Sequence, residues 1–490
     1  MRFSLSLLMF LLILSCSSKA PSDALNQGTQ ASGEDISADP AGPARIEFKI
    51  AGAPAGQVRL IGFYADQNFV ADTTTADASG HFIFQKNDGY NAGFYFVMMQ
   101  GNVSFQMLLN ATEQNFSMSA NVSDLINTMK VNGSLDNELL YKNLAFQARQ
   151  EPIFNQVSQQ LKAAAPGSAD YQRIKAEQDK LVAERKAHIQ SFQDEYPTAL
   201  FTKFKIAGQN PEPQVIKKPN GTLDTLAQLA LYRSQLWDNV DFSDNRLLHT
   251  PVIVNKLKRY IGELTVQHPD SINKSAGLLV DKVLDHKEYL KFFANWITLY
   301  YDPEKTTLMD PEAVFVYMVK NYFKPELAYW SDSAEVYALQ LRAYEMEASL
   351  VGRKGPDVSA PSPDGSLKSI YEMKAPYILV YMYDPNCENC AVETPKLVRF
   401  YQEWRSKGVE VYGIALNTDI PEWKAYIAKN RITWTNVFDP TNKSIYAKYY
   451  VNHTPELYVL NPDRTVIAKN LKVEQVPTVI EKDMRSRAGH

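Results

Sequence analysis

Apolar and polar positions alternate with period two from Arg45 onward: Ile46, Phe48 and Ile50, then Phe82 and Phe84, then Phe105, Met107 and Leu109. The turn-rich stretches Asp77-Ala78-Ser79-Gly80 and Asn87-Asp88-Gly89 set short strands at regular spacing. The pattern predicts a small antiparallel β-sandwich over residues 44–133. It holds no cluster of ligands or nucleophiles, so its expected role is structural or partner-binding. Near Asn137 the period turns helical. Tyr171, Ile174, Leu181, Val182, Ile189 and Phe192 recur at helical spacing, and Pro197 follows the stop. Similar stretches at 226–237, 278–300 and 334–350 predict an α-helical domain over 134–350 with no tetratricopeptide-type repeat. Its many aromatic residues (Phe292, Phe293, Trp296, Tyr329, Trp330) suit a core, or else a peptide-binding groove.

A third pattern begins at the Pro/Gly-rich loop 352–365. An apolar, β-rich run at 376–383 suits a buried strand, and a helical stretch follows at 392–404. A strand at 409–416, helices at 422–430 and 444–450, a strand at 457–460 and a terminal hairpin complete the pattern. Residues 351–490 are therefore expected to form an α/β domain with the thioredoxin order of elements. The chain as a whole reads as multidomain: β-sandwich, helical middle, thioredoxin-like C-terminus.

At 490 residues the chain has room for several cores, and its net charge of −4 gives no basic face for nucleic acid. The first fifteen residues add an address. They are one Arg and a short apolar run, too short to span a bilayer but right for a secretion signal. Ile13-Leu14-Ser15-Cys16 resembles a bacterial lipobox, which implies diacylation of Cys16; the alternative is an ordinary signal peptide with an incidental Cys16. Residues 16–43 are small and polar and read as a flexible tether. No later stretch is long and apolar enough for a transmembrane helix. The expected location is the cell envelope, lipid-anchored and facing the periplasm, with Ser17 favouring the outer membrane.

There are three cysteines, Cys16, Cys387 and Cys390, so the body carries one close pair and no framework of structural disulfides. The pair sits where a strand gives way to a helix. There the free N–H groups and the positive end of the helix dipole favour thiolate over thiol. Cys387 would attack a partner disulfide, and Cys390, one turn on, would resolve the mixed disulfide. Zinc is not expected, since the pair has no His partners nearby and His188, His249, His268 and His286 lack ligand spacing. The expected redox group is the Cys387–Cys390 disulfide itself, with no other cofactor.

The run Cys387-Glu388-Asn389-Cys390-Ala391-Val392-Glu393-Thr394-Pro395, with the later Thr454-Pro455, resembles the TlpA-like branch of the thioredoxin superfamily. The resemblance covers roughly residues 350–490. It implies that Pro395 kinks the active-site helix and that Pro455 is cis and faces the cysteines, with Thr454 beside it where a substrate chain docks. It also implies that Glu393 is the branch's acid near the second cysteine. That carboxylate either exchanges a proton with Cys390 or is a surface glutamate of the first helical turn. The order of domains, the junction Val131-Asn132-Gly133-Ser134…Asn137-Glu138 and the run Asp384-Pro385-Asn386-Cys387 resemble a group of multidomain Gram-negative lipoproteins. Protein thiols and disulfides are then the expected partners, with an upstream envelope electron donor.

Two departures stand out. Asp384-Pro385-Asn386 replaces the aromatic residues usual before the first cysteine, and Tyr381 replaces thioredoxin's buried acid. Asp384 and Glu388 are expected to line the substrate surface. Glu388 should also oppose the helix dipole, raise the Cys387 thiol and make the couple reducing. A peroxidase of the same fold would need Thr or Ser three residues before the nucleophile, where Asp384 stands. A binding lipoprotein with a redox-sensing cysteine pair is the main alternative. An isomerase would need oligomerisation, for which no coiled coil is visible.

Overall fold

A computed structural model describes residues 35–302, 305–441, 448–451 and 453–489. Cys16, the signal segment, most of the tether and most of the helix expected at 444–450 lie outside the described residues. The chain divides into two compact units: residues up to Leu264 with Asp285–Tyr289, and Thr265–Leu284 with everything from Leu290 onward.

Among the described residues the first unit contains eight strands: β1 (Ala44–Ala51), β2 (Gly56–Tyr64), β3 (Gln67–Ala76), β4 (His81–Lys86), β5 (Gly93–Met98), β6 (Ser104–Leu109), β7 (Asn115–Asn121) and β8 (Lys130–Asn132). They form two four-stranded sheets, ordered β4-β1-β7-β8 and β3-β2-β5-β6. The alternation in β1 places Ile46, Phe48 and Ile50 in a core shared with Leu60, Val97 and Met107. One expectation is corrected: β1 and β7 pair in parallel, so the sheet β4-β1-β7-β8 is mixed, while β3-β2-β5-β6 is antiparallel throughout. The two strands are separated by the whole second sheet, and such a long connection permits a parallel return. Residues 35–43 are tied to this unit at two points, Ile36 by a bridge to Asp244 and Ala38 by burial.

Helices Leu135–Ala163, Ala169–Glu195 and Leu200–Ala207 follow in this unit. The junction segment has a definite structural use. The amide of buried Asn137 accepts from Leu108 N–H (2.9 Å) and donates to Leu108 C=O (2.7 Å), standing in for a strand at the edge of β6. The apolar stretch 278–300 is not one helix. It separates into Pro269–Val280 and Lys287–Tyr300, because an apolar pattern that continues through a turn does not mark it.

In the second unit, β9 (Ser359–Pro361), within the loop-like segment, forms a hairpin with β10 (Leu367–Ser369) just beyond it. The main sheet uses β11 (Tyr377–Tyr383), β12 (Val409–Ala415), β13 (Thr435–Phe438), β14 (Glu456–Leu460) and β15 (Val466–Lys469), in the order β13-β12-β11-β14-β15. β11 and β12 are parallel, and β14 and β15 turn back antiparallel. β11 is buried on both faces: Tyr381 and Tyr383 face one core, Val380 and Met382 the other. Helices Glu388–Trp404, Ile420–Asn430 and Val476–Ala488 accompany the sheet. The last of these and the four-residue β13 add to the elements expected from the sequence. Among the described residues no helix is long and apolar enough to cross a membrane.

Candidate functional site

The fully buried β11 ends at Tyr383, and five residues later the active-site helix begins. Asp384 makes the turn. Its carboxylate accepts from Asn386 N–H (2.8 Å) and its carbonyl from Cys387 N–H (3.1 Å). Cys387 thereby becomes the N-cap of helix Glu388–Trp404, with Cys390 one turn inside. Both are free thiols, Cys387 partly exposed and Cys390 fully buried.

The Thr454–Pro455 peptide is cis, and the Cys387 thiol donates to the Thr454 carbonyl at 3.1 Å. The structure therefore brings Thr454 to the first cysteine across a large sequence gap. The electrostatics of the two thiols diverge. Burial works to raise the Cys387 thiol, but hydrogen bonds from Thr454, Cys390 and the N–H groups of Cys390 and Asn389 outweigh it and hold the thiol below its ordinary value of 9.0. Burial pushes Cys390 up to about 12, with the neighbouring Cys387 sulfur adding to the effect. The raised Cys387 thiol expected from Glu388 is thus corrected. Glu388 is exposed, so water screens it, while the hydrogen bonds are made at the sulfur.

Glu393 sits where a helical second turn puts it, engaged by Lys396 (2.7 Å) and by Val473 N–H (3.2 Å). Lys396 also reaches Glu474 at 2.9 Å, so the carboxylate ties the active-site helix to the segment before the last helix.

Beneath Cys390 lies a polar group that sequence reasoning glimpsed only at Tyr381. The Tyr381 hydroxyl lies 2.8 Å from Thr394 Oγ1, Thr394 Oγ1 lies 2.8 Å from the Tyr426 hydroxyl, and Tyr426 donates to the Cys390 carbonyl at 3.2 Å. Tyr383 stacks between Tyr381 (5.5 Å) and Tyr426 (5.3 Å). Glu456, the residue after Pro455, pairs in register with Met382 and therefore faces the opposite side of the sheet. Its partner there is the Tyr458 hydroxyl at 2.9 Å.

Residues 351–474 match the family model described as AhpC/TSA family. Together with the sheet order and the helix-capping cysteine pair, this makes the C-terminal region a thioredoxin-like domain. Solved structures with likeness include a domain of a possible thiol-disulfide isomerase from Cytophaga hutchinsonii, at 29% identity over 29% of this chain and 97% of that one (TM-score 0.28). The thioredoxin domain of a thiol-disulfide oxidoreductase from Bacteroides vulgatus is 25% identical over 27% and 96% (TM-score 0.26). A thioredoxin-like protein from Bacteroides caccae is 16% identical over 55% and 97% (TM-score 0.46). None of the curated proteins matches this chain. The matched family's name does not carry peroxidase chemistry here. At the position three before Cys387 stands the Asp384 carboxylate, which cannot donate a hydrogen bond to a peroxide as a hydroxyl would.

Proposed function

We propose that this protein is a thiol–disulfide oxidoreductase of the cell envelope that reduces disulfides in partner proteins. The asymmetry of the pair carries the exchange reading, an accessible Cys387 with a favoured thiolate beside a buried Cys390 held protonated, and the reducing direction rests on the resemblance of the Cys387–Pro395 run to the TlpA-like branch. The Cys387 thiolate attacks a partner disulfide, forming a mixed disulfide and releasing one partner sulfur as thiolate. Cys390 then loses its proton and attacks the Cys387 sulfur, so the partner leaves fully reduced and the Cys387–Cys390 disulfide remains. An upstream envelope donor returns the two electrons.

In this scheme Thr454 and Pro455 form the rim on which the partner chain is received, with Asp384 and Glu388 flanking the entrance. Glu393 anchors the active-site helix. The lipid anchor at Cys16 and the periplasm-facing location belong to the same proposal and rest on the N-terminal sequence. The test is partner capture with Cys390→Ala in the native envelope. Mixed disulfides through Cys387 should accumulate and should vanish in Cys387→Ala. A folded variant that captures nothing would instead make the protein a binder with a redox-sensing pair. A reduction potential near the strongly oxidising end of the scale, about −120 mV, would reverse the proposed direction.

A further inference from the structure

Resolution by Cys390 requires its backbone to hold the buried sulfur in line with Cys387, and the hydroxyl chain beneath it bears on that step. Each hydroxyl has a single hydrogen to give. Tyr426 gives its hydrogen to the Cys390 carbonyl, which can only accept. Thr394 must therefore donate to Tyr426, and Tyr381 must donate to Thr394. The whole chain points one way, from β11 through the active-site helix and helix Ile420–Asn430 back to Cys390. A chain that ends on a carbonyl cannot take a proton from a thiol.

The local sequence explains why outside support is needed. Pro395 lies inside the active-site helix and has no N–H to return to the Ala391 carbonyl, so the ladder is interrupted next to the turn that carries Cys390. A helical threonine commonly bonds back to its own helix. Here Thr394, wholly buried, is bonded outward to two tyrosines.

We infer that Tyr381, Thr394 and Tyr426 are positioning residues that clamp the Cys390 backbone for the resolving step and carry no proton. This rests on the exchange reading above. The two steps separate with dipyridyl disulfide in the full-length Cys16→Ser protein. Cys387 thiolate displaces the first pyridinethione, and Cys390 thiolate, its proton lost to solvent, displaces the second as the Cys387–Cys390 disulfide forms.

In Tyr426→Phe the first release should keep its wild-type rate, which also reports an intact fold. The second should slow by about tenfold, because the carbonyl loses the donor that reaches it from outside the helix. Its pH midpoint should stay where it is in the wild type. Thr394→Val, which leaves Tyr426 donating to the carbonyl but removes the hydroxyl that orients it, should slow the second release less than Tyr426→Phe does, and Thr394→Ser, which restores the hydroxyl, should recover most of the rate. An unaltered second release in Tyr426→Phe, a shifted midpoint, or a Thr394→Ser as slow as Thr394→Val would each overturn the inference. Were neither release to occur in the parent protein, the exchange reading itself would fall.

Discussion

The two faces of the five-stranded sheet deal with buried polarity in opposite ways. Beneath the active-site helix the buried groups are neutral hydroxyls, from Tyr381, Thr394 and Tyr426, satisfied by one another and by a carbonyl. On the other face they are charged. Lys469, 1% exposed, lies 3.3 Å from Glu312 and 3.7 Å from Asp310, with its ammonium 5.1 Å from the Tyr458 ring. Glu456 is buried on that face as well. A charge in a poorly screened interior acts over many ångströms, whereas a satisfied hydroxyl acts on its neighbour. With no carboxylate among the described residues in the hydroxyl group beneath Cys390, the proton affinities of the two thiols are set by burial, by hydrogen bonds at the sulfurs and by each other. The charged face does structural work: it joins residues preceding and opening helix Glu312–Tyr322 to β15.

The largest effect should come from removing the cation. Lys469→Ala leaves Asp310 and Glu312 buried without their partner, and breaking a buried pair in this way costs about 3–5 kcal/mol. Urea unfolding should show that loss, while the pH midpoint of Cys387 alkylation stays as in the wild type. A changed midpoint would mean that the faces communicate.

Proton linkage on the same face should be next. Burial raises Asp310 from 3.8 to about 6, against the pull of Lys469 and with Glu312 adding to the rise. The folded chain therefore binds more protons than the unfolded chain between about pH 4 and pH 6, and stability falls as pH rises through that window. In Asp310→Asn that segment of the stability profile should flatten. A profile of the same slope in the variant would assign the titration elsewhere.

The hydroxyl face should show a graded response. Tyr426→Phe strips the Cys390 carbonyl of its side-chain donor and leaves the Thr394 hydrogen without an acceptor. Tyr381→Phe removes only the first donor, so its cost should be the net worth of one hydrogen bond, about 0.5–1.5 kcal/mol. Equal losses in the two variants, read by unfolding, would contradict the one-way direction of the chain. Burial holds Tyr426 up at about 12 and keeps Tyr381 well above its ordinary value, so neither effect should vary between pH 5 and pH 9.

The same contrast shows what a sequence can disclose. Alternation in β1 and continuous apolarity in β11 are local consequences of burial, and both were readable as strands. The cysteine pair was readable because two intervening residues at a strand–helix junction define the chemistry. Direction was not. Nothing in Phe116-Ser117-Met118 distinguishes a parallel from an antiparallel neighbour for β1. Tyr381 drew notice as an absent acid, yet its partners lie on two other elements, and only the fold brings Thr394 and Tyr426 to it. The charged face was invisible for the same reason: Lys469 and Glu312 are ordinary surface residue types until β15 buries one against the other.

Glu388 should give the smallest effect, and it tests how local the control of Cys387 is. By charge alone, a carboxylate in the first turn beside a thiolate should matter. A charge at a helix end is worth about 0.3–1 kcal/mol when weakly screened, and 1.36 kcal/mol corresponds to one pH unit in a titration. Glu388 is exposed, however, and physiological salt reduces its share further. The Cys387 thiol is already below 9.0 with that carboxylate in place, held there by donors at the sulfur. Glu388→Gln should therefore lower the midpoint of Cys387 alkylation by no more than about 0.3. Raising the salt concentration should remove even that difference. A fall of a full unit, persisting in high salt, would place charge above hydrogen bonding at this thiol and make the neutral face beneath Cys390 irrelevant to its partner's reactivity.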